Sequence, residues 1–263
     1  MTEIRPLRED YLLPRCLHAG PMDTLAEPSA VPGPDLPPHP WSDDTICALA
    51  ANGSGWPLCQ AGSGWPAGLM RELIHRHGTC ALLAWEGRSV AGFVRFYPLT
   101  LARMMAEADG GWAEPILDPR VAGEPGAEPG TLWVHCVMTS RPYTGGTAAG
   151  HTVGGHGIFR TPQEAGARRG IGLQLAHALV PWAREHGWER LLKIAHPDLD
   201  FYYGIWGGGG KRFWEQAGFE VADSFYQPQP WHQPEMATLR AQMQERGITV
   251  REAFTFYRMT CEL

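Results

Sequence analysis

Thr131-Leu132-Trp133-Val134-His135-Cys136-Val137-Met138-Thr139 is an apolar, β-leaning run, and further along the chain Arg168-Arg169-Gly170-Ile171-Gly172-Leu173 opens a different pattern. From that turn onward Ile171, Leu175, Ala178, Leu179 and Trp182 recur at the spacing of one helical face, until Gly187 interrupts them. Leu191 to Ala195 then reads as a second strand. Strand, glycine turn, amphipathic helix and strand in that order predict a βαβ unit with a right-handed crossover. A glycine turn at a helix start lets the backbone come close to a ligand and points several N–H groups at one small space at the positive end of the helix. Such a turn suits a pyrophosphate. It also suits simple helix capping, and the flanking strand and helix favour the first reading.

Working outward, Cys80 to Trp85 and Ser89 to Tyr97 are two apolar runs joined through Glu86-Gly87-Arg88, which predicts a hairpin. Leu69, Leu73, Ile74 and His77 ahead of Gly78 predict a short helix. The opening Glu3-Ile4-Arg5-Pro6-Leu7 reads as a strand and Arg8 to Leu13 as a helical turn. Beyond the βαβ unit, Lys211 to Ala217 predicts a helix stopped by Gly218, Phe219 to Phe225 a strand, Glu235 to Arg246 a helix, and Ala253 to Cys261 a closing strand. Three Gly/Pro-rich stretches, at about 20–66, 109–130 and 140–165, read as insertions, and nothing between them looks like an interdomain linker. A single domain over 1–263 is therefore expected.

The 263 residues carry a formal net charge of −6 and no block of basic residues, which excludes the electrostatic footprint of a nucleic-acid-binding surface. Early charges at Glu3, Arg5, Arg8, Glu9 and Asp10 leave no apolar signal segment, and no run is long enough to span a bilayer. A cytoplasmic protein is expected. Its six cysteines, Cys16, Cys47, Cys59, Cys80, Cys136 and Cys261, are scattered in a chain too long to need disulfides and read as thiols. Cys47 and Cys59 flank a Gly/Trp-rich segment without a Cys-x-x-Cys pair, and no metal site is assigned.

The sequence Ile4-Arg5-Pro6-Leu7-Arg8-Glu9-Asp10, the hairpin, the Arg168–Leu173 turn with its helix, and Ala217-Gly218-Phe219 together resemble the GCN5-related N-acetyltransferase (GNAT) superfamily, in order and over nearly the whole chain. The resemblance implies an α/β fold with a mixed, mostly antiparallel central sheet flanked by helices, lengthened here by loop insertions. It implies acetyl-CoA as acyl donor and a primary amine of a small molecule or protein as acceptor, attacking directly in a ternary complex. The family's turn has Gln or Arg, two free positions, Gly, one free position, then Gly or Ala. Gly170 and Gly172 match, while Ala167 stands where the Gln or Arg would be. Arg168, Arg169, Gly170, Ile171, Gly172 and Leu173 are thereby expected at the pyrophosphate, and the backbone of Val137, Met138 and Thr139 along the pantetheine arm.

Acyl transfer needs an unprotonated amine, stabilisation of the oxyanion, and a proton for the departing thiolate. By resemblance the proton donor is a tyrosine four residues before Gly218, but Trp214 stands there. Tyr202 or Tyr203, in the preceding loop, is the expected replacement. His135 is the expected base, against the alternative of a hydrogen-bonded core histidine. Strand alternation places His135 and Cys136 on opposite faces. His151 and His156, in the glycine-rich insertion, line the acceptor site, bind a metal or are solvated, and Trp56, Trp65, Trp112, Trp206 and Trp231 either build an acceptor pocket or anchor loops. Two other functions stay open: a CoA-binding module that has lost chemistry, and a metal- or thiol-sensing protein on the same fold.

Overall fold

The computed structural model describes residues 2–13, 22–24, 67–102, 129–139, 170–199, 202, 209–227 and 233–263. Nearly all of the three insertions, together with Arg168, Arg169, Tyr203, His151 and His156, lies outside these residues, as do the five loop tryptophans and Cys16, Cys47 and Cys59.

Among the described residues, eight strands form one sheet. β1 (Thr2–Pro6), β2 (Met22–Asp23), β3 (Ala81–Glu86), β4 (Ser89–Pro98), β5 (Thr131–Thr139), β6 (Arg190–Ala195), β7 (Glu220–Tyr226) and β8 (Thr255–Glu262) run in the order β1-β3-β4-β5-β6-β8-β7, with β2 pairing to β4 off that path. Every pairing is antiparallel except β5 with β6. The helices are α1 (Ala67–His77), α2 (Ile171–Glu185), α3 (Lys211–Gln216), α4 (Gln233–Arg246) and α5 (Val250–Ala253). This is the mixed, mostly antiparallel sheet with flanking helices that the sequence predicts. No described helix is long and apolar enough to cross a membrane.

The sheet separates two apolar layers. One holds Leu7, Leu12, Met70, Leu73, Phe93, Tyr97, Trp133, Tyr202, Leu239 and Phe256. The other holds Val94, Phe96, Val134, Leu175, Leu179, Trp214, Phe219 and Met259. Helix α2 buries Leu175, Ala176, Leu179 and Ala183 in the second layer, with Ile171, Ala178 and Trp182 partly buried beside them, so the predicted face is the packed face.

Two local readings change. Arg8 to Leu13 is not a helical turn: a tight turn closed by Tyr11 N donating to Arg8 O (3.1 Å) drops Leu12 and Leu13 into the core. Burial of those leucines outweighs the weak helical preference of so short a segment. Residues 22–23, expected in a loop, pair with Val90 and Ser89 of β4. The last strand also starts later than expected. Helix α5 precedes it, fixed by a capping box in which Thr249 Oγ1 accepts from Glu252 N while the Glu252 carboxylate accepts from Thr249 N.

Helix α2 lies unusually close to the sheet at Gly92. A methyl group there would stand 2.9 Å from Ile171 Cγ2, 3.0 Å from Leu175 Cδ1 and 3.1 Å from the Met138 carbonyl oxygen. Backbone on one side and a seated helix on the other leave little room to yield. Gly92→Ala is therefore expected to destabilise the protein by about 1–3 kcal/mol, as overpacking does, measured as a lower urea midpoint at unchanged slope.

Candidate functional site

The β5–β6 ladder is short. It joins Thr131 to Arg190, Leu132 to Leu191 and Trp133 to Leu192, and ends there. From Val134 to Thr139, β5 continues alongside β4 alone among the described strands, so the two parallel strands splay apart toward the C-terminal end of β5. Open α/β sheets take ligands at the carboxyl ends of parallel strands where neighbours diverge.

The start of α2 meets that end of β5. A Cβ on Gly172 would lie 3.6 Å from Thr139 Cγ2 and 3.4 Å from the Phe213 ring of α3, ordinary contacts that place the first turn of α2 against both. Gly170 is the N-cap, in the left-handed region (φ 66°, ψ 16°) that a side chain disfavours. Among the described residues no side chain caps the helix, and no acidic residue stands in its first turn. The first intrahelical bond runs from Gln174 N to Gly170 O (2.9 Å), so the N–H groups of Ile171, Gly172 and Leu173 precede the helical ladder. Three donors at the positive end of a fifteen-residue helix, with no carboxylate in its own first turn, can hold an anion.

His135 marks the other notable point on β5. Arg95 pairs with Cys136 and Phe96 with Val134, so His135 is the extra residue of a β-bulge. The bulge breaks the expected alternation: Cys136 packs in the layer containing Tyr97, and the His135 ring also lies against Tyr97 (centroids 5.8 Å apart). His135 is buried, and its imidazole is held well below its usual pKa, first by loss of solvent and then by the positive charges of Arg95 and Lys193. Lys193 Nζ donates to the His135 carbonyl across the splay (2.7 Å) and sits 5.5 Å from the centre of the Trp133 ring. Lys193 was not singled out by sequence. Its one legible signal is a lysine inside an apolar strand.

Tyr202 is completely buried in the layer opposite α2. Its hydroxyl donates to Ala253 O (2.5 Å), its ring stacks on His196 (5.3 Å), and burial makes the phenol a weaker acid. Trp214 lies in the other layer, with Nε1 donating to Gly209 O (3.0 Å). The sheet thus stands between Tyr202 and Trp214, which fills the position of the tyrosine that Tyr202 or Tyr203 is expected to replace. Cys80 and Cys136 are buried thiols, and burial pushes the Cys80 thiol far up. Among the described residues no group of three or more His, Cys, Asp or Glu is disposed to hold a metal ion.

No family model matches the chain, and no curated protein matches it in sequence. Solved structures similar to it include a GNAT-family acetyltransferase from Streptococcus pneumoniae, 10% identical over 85% of this chain and 96% of that one (TM-score 0.39). Another is a GNAT-family acetyltransferase from Elizabethkingia anophelis with acetyl-CoA bound, 16% identical over 78% and 94% (TM-score 0.35). A third is a Bacillus subtilis acetyltransferase in complex with CoA, 11% identical over 70% and 76% (TM-score 0.33). The overlaps are loose, and the fold is defined by the strand order, parallel pair and splay described above.

The depressed His135 has a consequence for stability. In the unfolded chain a histidine takes up a proton below a pH of about 6.5, whereas folded His135 stays neutral until a lower pH. The unfolded state therefore binds more protons between those two values, and stability falls as pH drops through that window. His135→Gln is expected to remove this loss, seen as a shallower acid limb in unfolding free energy against pH.

Proposed function

We propose that the protein is an acyl-CoA-dependent N-acyltransferase that moves an acetyl group from acetyl-CoA to a primary amine by direct attack. The observation that carries this reading is the uncapped glycine start of α2 placed against Thr139, at the open end of the β5–β6 splay. One element supplies N–H donors for a pyrophosphate and the other a strand edge for an extended arm. The residues present fit such a donor: Gly170, Ile171, Gly172 and Leu173 at its phosphates, with Arg168 and Arg169 adding charge, and Val137, Met138 and Thr139 along the pantetheine. Acetyl-CoA supplies an activated acyl carbon as a thioester.

The protein's own groups supply placement and proton handling. His135, at the bulge, is uncharged near neutral pH and so can accept a hydrogen bond from the attacking amine, although burial first, and then the charges of Arg95 and Lys193, make it a weak base. The acid role proposed for Tyr202 meets a hydroxyl already donating to Ala253 O, and Tyr203 keeps that proposal alive. The acceptor is an amine of a small molecule or a protein. A CoA-binding module without chemistry is the reading to exclude, because Trp214 commits its N–H to Gly209.

Ligand binding tests the cradle without knowledge of the acceptor. At a hundred times its dissociation constant, acetyl-CoA stabilises the folded protein by about 2.7 kcal/mol, which for this chain length raises the melting temperature by roughly 5–10 °C. Gly172→Glu is expected to abolish the shift by placing negative charge at the phosphates, and Arg168→Ala to weaken it. No shift with acetyl-CoA or CoA on the wild-type protein sinks the reading.

Turnover separates the enzyme from the module. Thiol release from acetyl-CoA against polyamines, aminoglycosides, amino acids and lysine peptides should find an acceptor. With that acceptor, His135→Ala is expected to lower kcat more than it weakens CoA binding. Unchanged kcat removes His135 from the site.

A further inference from the structure

We propose that Lys193 is a specificity-determining residue, whose side chain and the His135 carbonyl it holds form the end wall of the β5–β6 splay and limit the donor's acyl group to acetyl. This rests on the acyl-CoA reading above and deepens it, by naming what decides the length of the acyl chain.

The wall follows from register. Leu192 is the last residue of β6 to pair with β5, and Lys193 comes next. Its strand neighbours Leu191 and Ala195 and its β8 partner Met259 all pack in the layer under α2, so Lys193 leaves the backbone on that side. Trp133, the last residue of β5 in the ladder, packs in the opposite layer. The Lys193 ammonium nevertheless lies 5.5 Å from the centre of the Trp133 ring and 2.7 Å from the His135 carbonyl oxygen. The side chain therefore runs across the gap between the two strands, at the point where the backbone ladder has stopped.

A donor arm that enters beside the start of α2 runs along β5 from Thr139 toward this bridge. From Thr139 back to His135 the strand covers about 13 Å, at the usual rise per residue. The reacting carbon belongs at the inner end of that run, where His135 can meet the amine, and acyl carbons beyond it are directed at the bridge. Acetyl places a single methyl group there. A longer chain has to push the ammonium off the carbonyl it holds. Lys193 and His135 are each 7% exposed, so water has little access to replace the lost bond. A buried carbonyl stripped of its donor carries a full desolvation penalty.

The same hydrogen bond ties β6 to β5 and so supports the fold. A lysine with that duty alone would not discriminate among acyl chains, and discrimination is what the test reads.

Binding reads it without turnover. Dissociation constants for CoA, acetyl-CoA, butyryl-CoA and hexanoyl-CoA are measured by calorimetry on the wild-type protein and on Lys193→Ala, which removes Cγ, Cδ, Cε and Nζ. The wild-type protein should bind acetyl-CoA at least about tenfold more tightly than hexanoyl-CoA, the scale on which a pocket wall discriminates between chains differing by methylenes. Butyryl-CoA should fall between them. Lys193→Ala should narrow the ratio to within about threefold and leave the affinity for CoA itself within about threefold of wild type. If Lys193→Ala does not fold, Lys193→Val, also shorter and suited to a strand, is read in its place. A wild-type protein that binds hexanoyl-CoA as tightly as acetyl-CoA overturns the proposal, as does a preference for acetyl-CoA that survives the shortened side chain. Loss of CoA binding together with the preference overturns it too, because Lys193 would then support the cleft as a whole. If no CoA species binds the wild-type protein, the acyl-CoA reading itself has failed and this proposal falls with it.

Discussion

The structure depends on where one parallel ladder begins and stops. At its closed end the Gly130 carbonyl accepts from Glu189 N (2.9 Å) and, more weakly, from Arg190 N (3.4 Å), while Leu263 N donates to Glu189 O (3.0 Å). Those bonds draw β5, β6 and the end of β8 together. Gly130 adopts φ 85°, which a side chain would resist, and the Glu189 side chain already fills the space a Cβ would take. Three residues later the ladder ends, and the right-handed twist of each strand separates them. The splay at one end thus contrasts with the hydrogen bonding that closes the other.

Helix α2 sets its first turn beside that splay. Its buried face is small, Leu175, Ala176, Leu179 and Ala183, and Gly92 lets it lie close enough for its first turn to reach Thr139 and Phe213. Phe213 in turn needs Gly209, where any Cβ would collide with its ring at 1.9 Å. Gly209 also accepts the Trp214 indole N–H. Trp214 is thus tied by its indole N–H to the backbone that also makes room for Phe213.

Charge is the other organising constraint. Arg95, Lys193 and Glu72 are all buried in or beside the sheet, with Glu72 paired to Arg76 on the next turn of α1. Buried charges seldom raise stability over apolar replacements. Burial first, and then the positive charges of Arg95 and Lys193, hold the His135 imidazole neutral.

Sequence alone determined the elements whose signals are local. The glycine turn and the periodicity of Ile171 to Trp182 specified α2, Gly87 specified the hairpin, and the succession of strand, turn, helix and strand specified the parallel pair. The capping box at Thr249 and Glu252 was equally local, a Thr-x-x-Glu signature that went unread. Tertiary structure decided what local patterns cannot carry. The bulge at His135 exists only against β4, because an extra residue is defined by the strand opposite it. Lys193 reads as an ordinary strand residue until β5 ends its pairing one residue earlier and offers the His135 carbonyl across the gap. Tyr202 looks like a loop tyrosine until its hydroxyl is found against Ala253, fifty-one residues away in the chain. Each depends on the side chain or backbone that long-range pairing brings opposite, and period, propensity and composition contain no record of that neighbour.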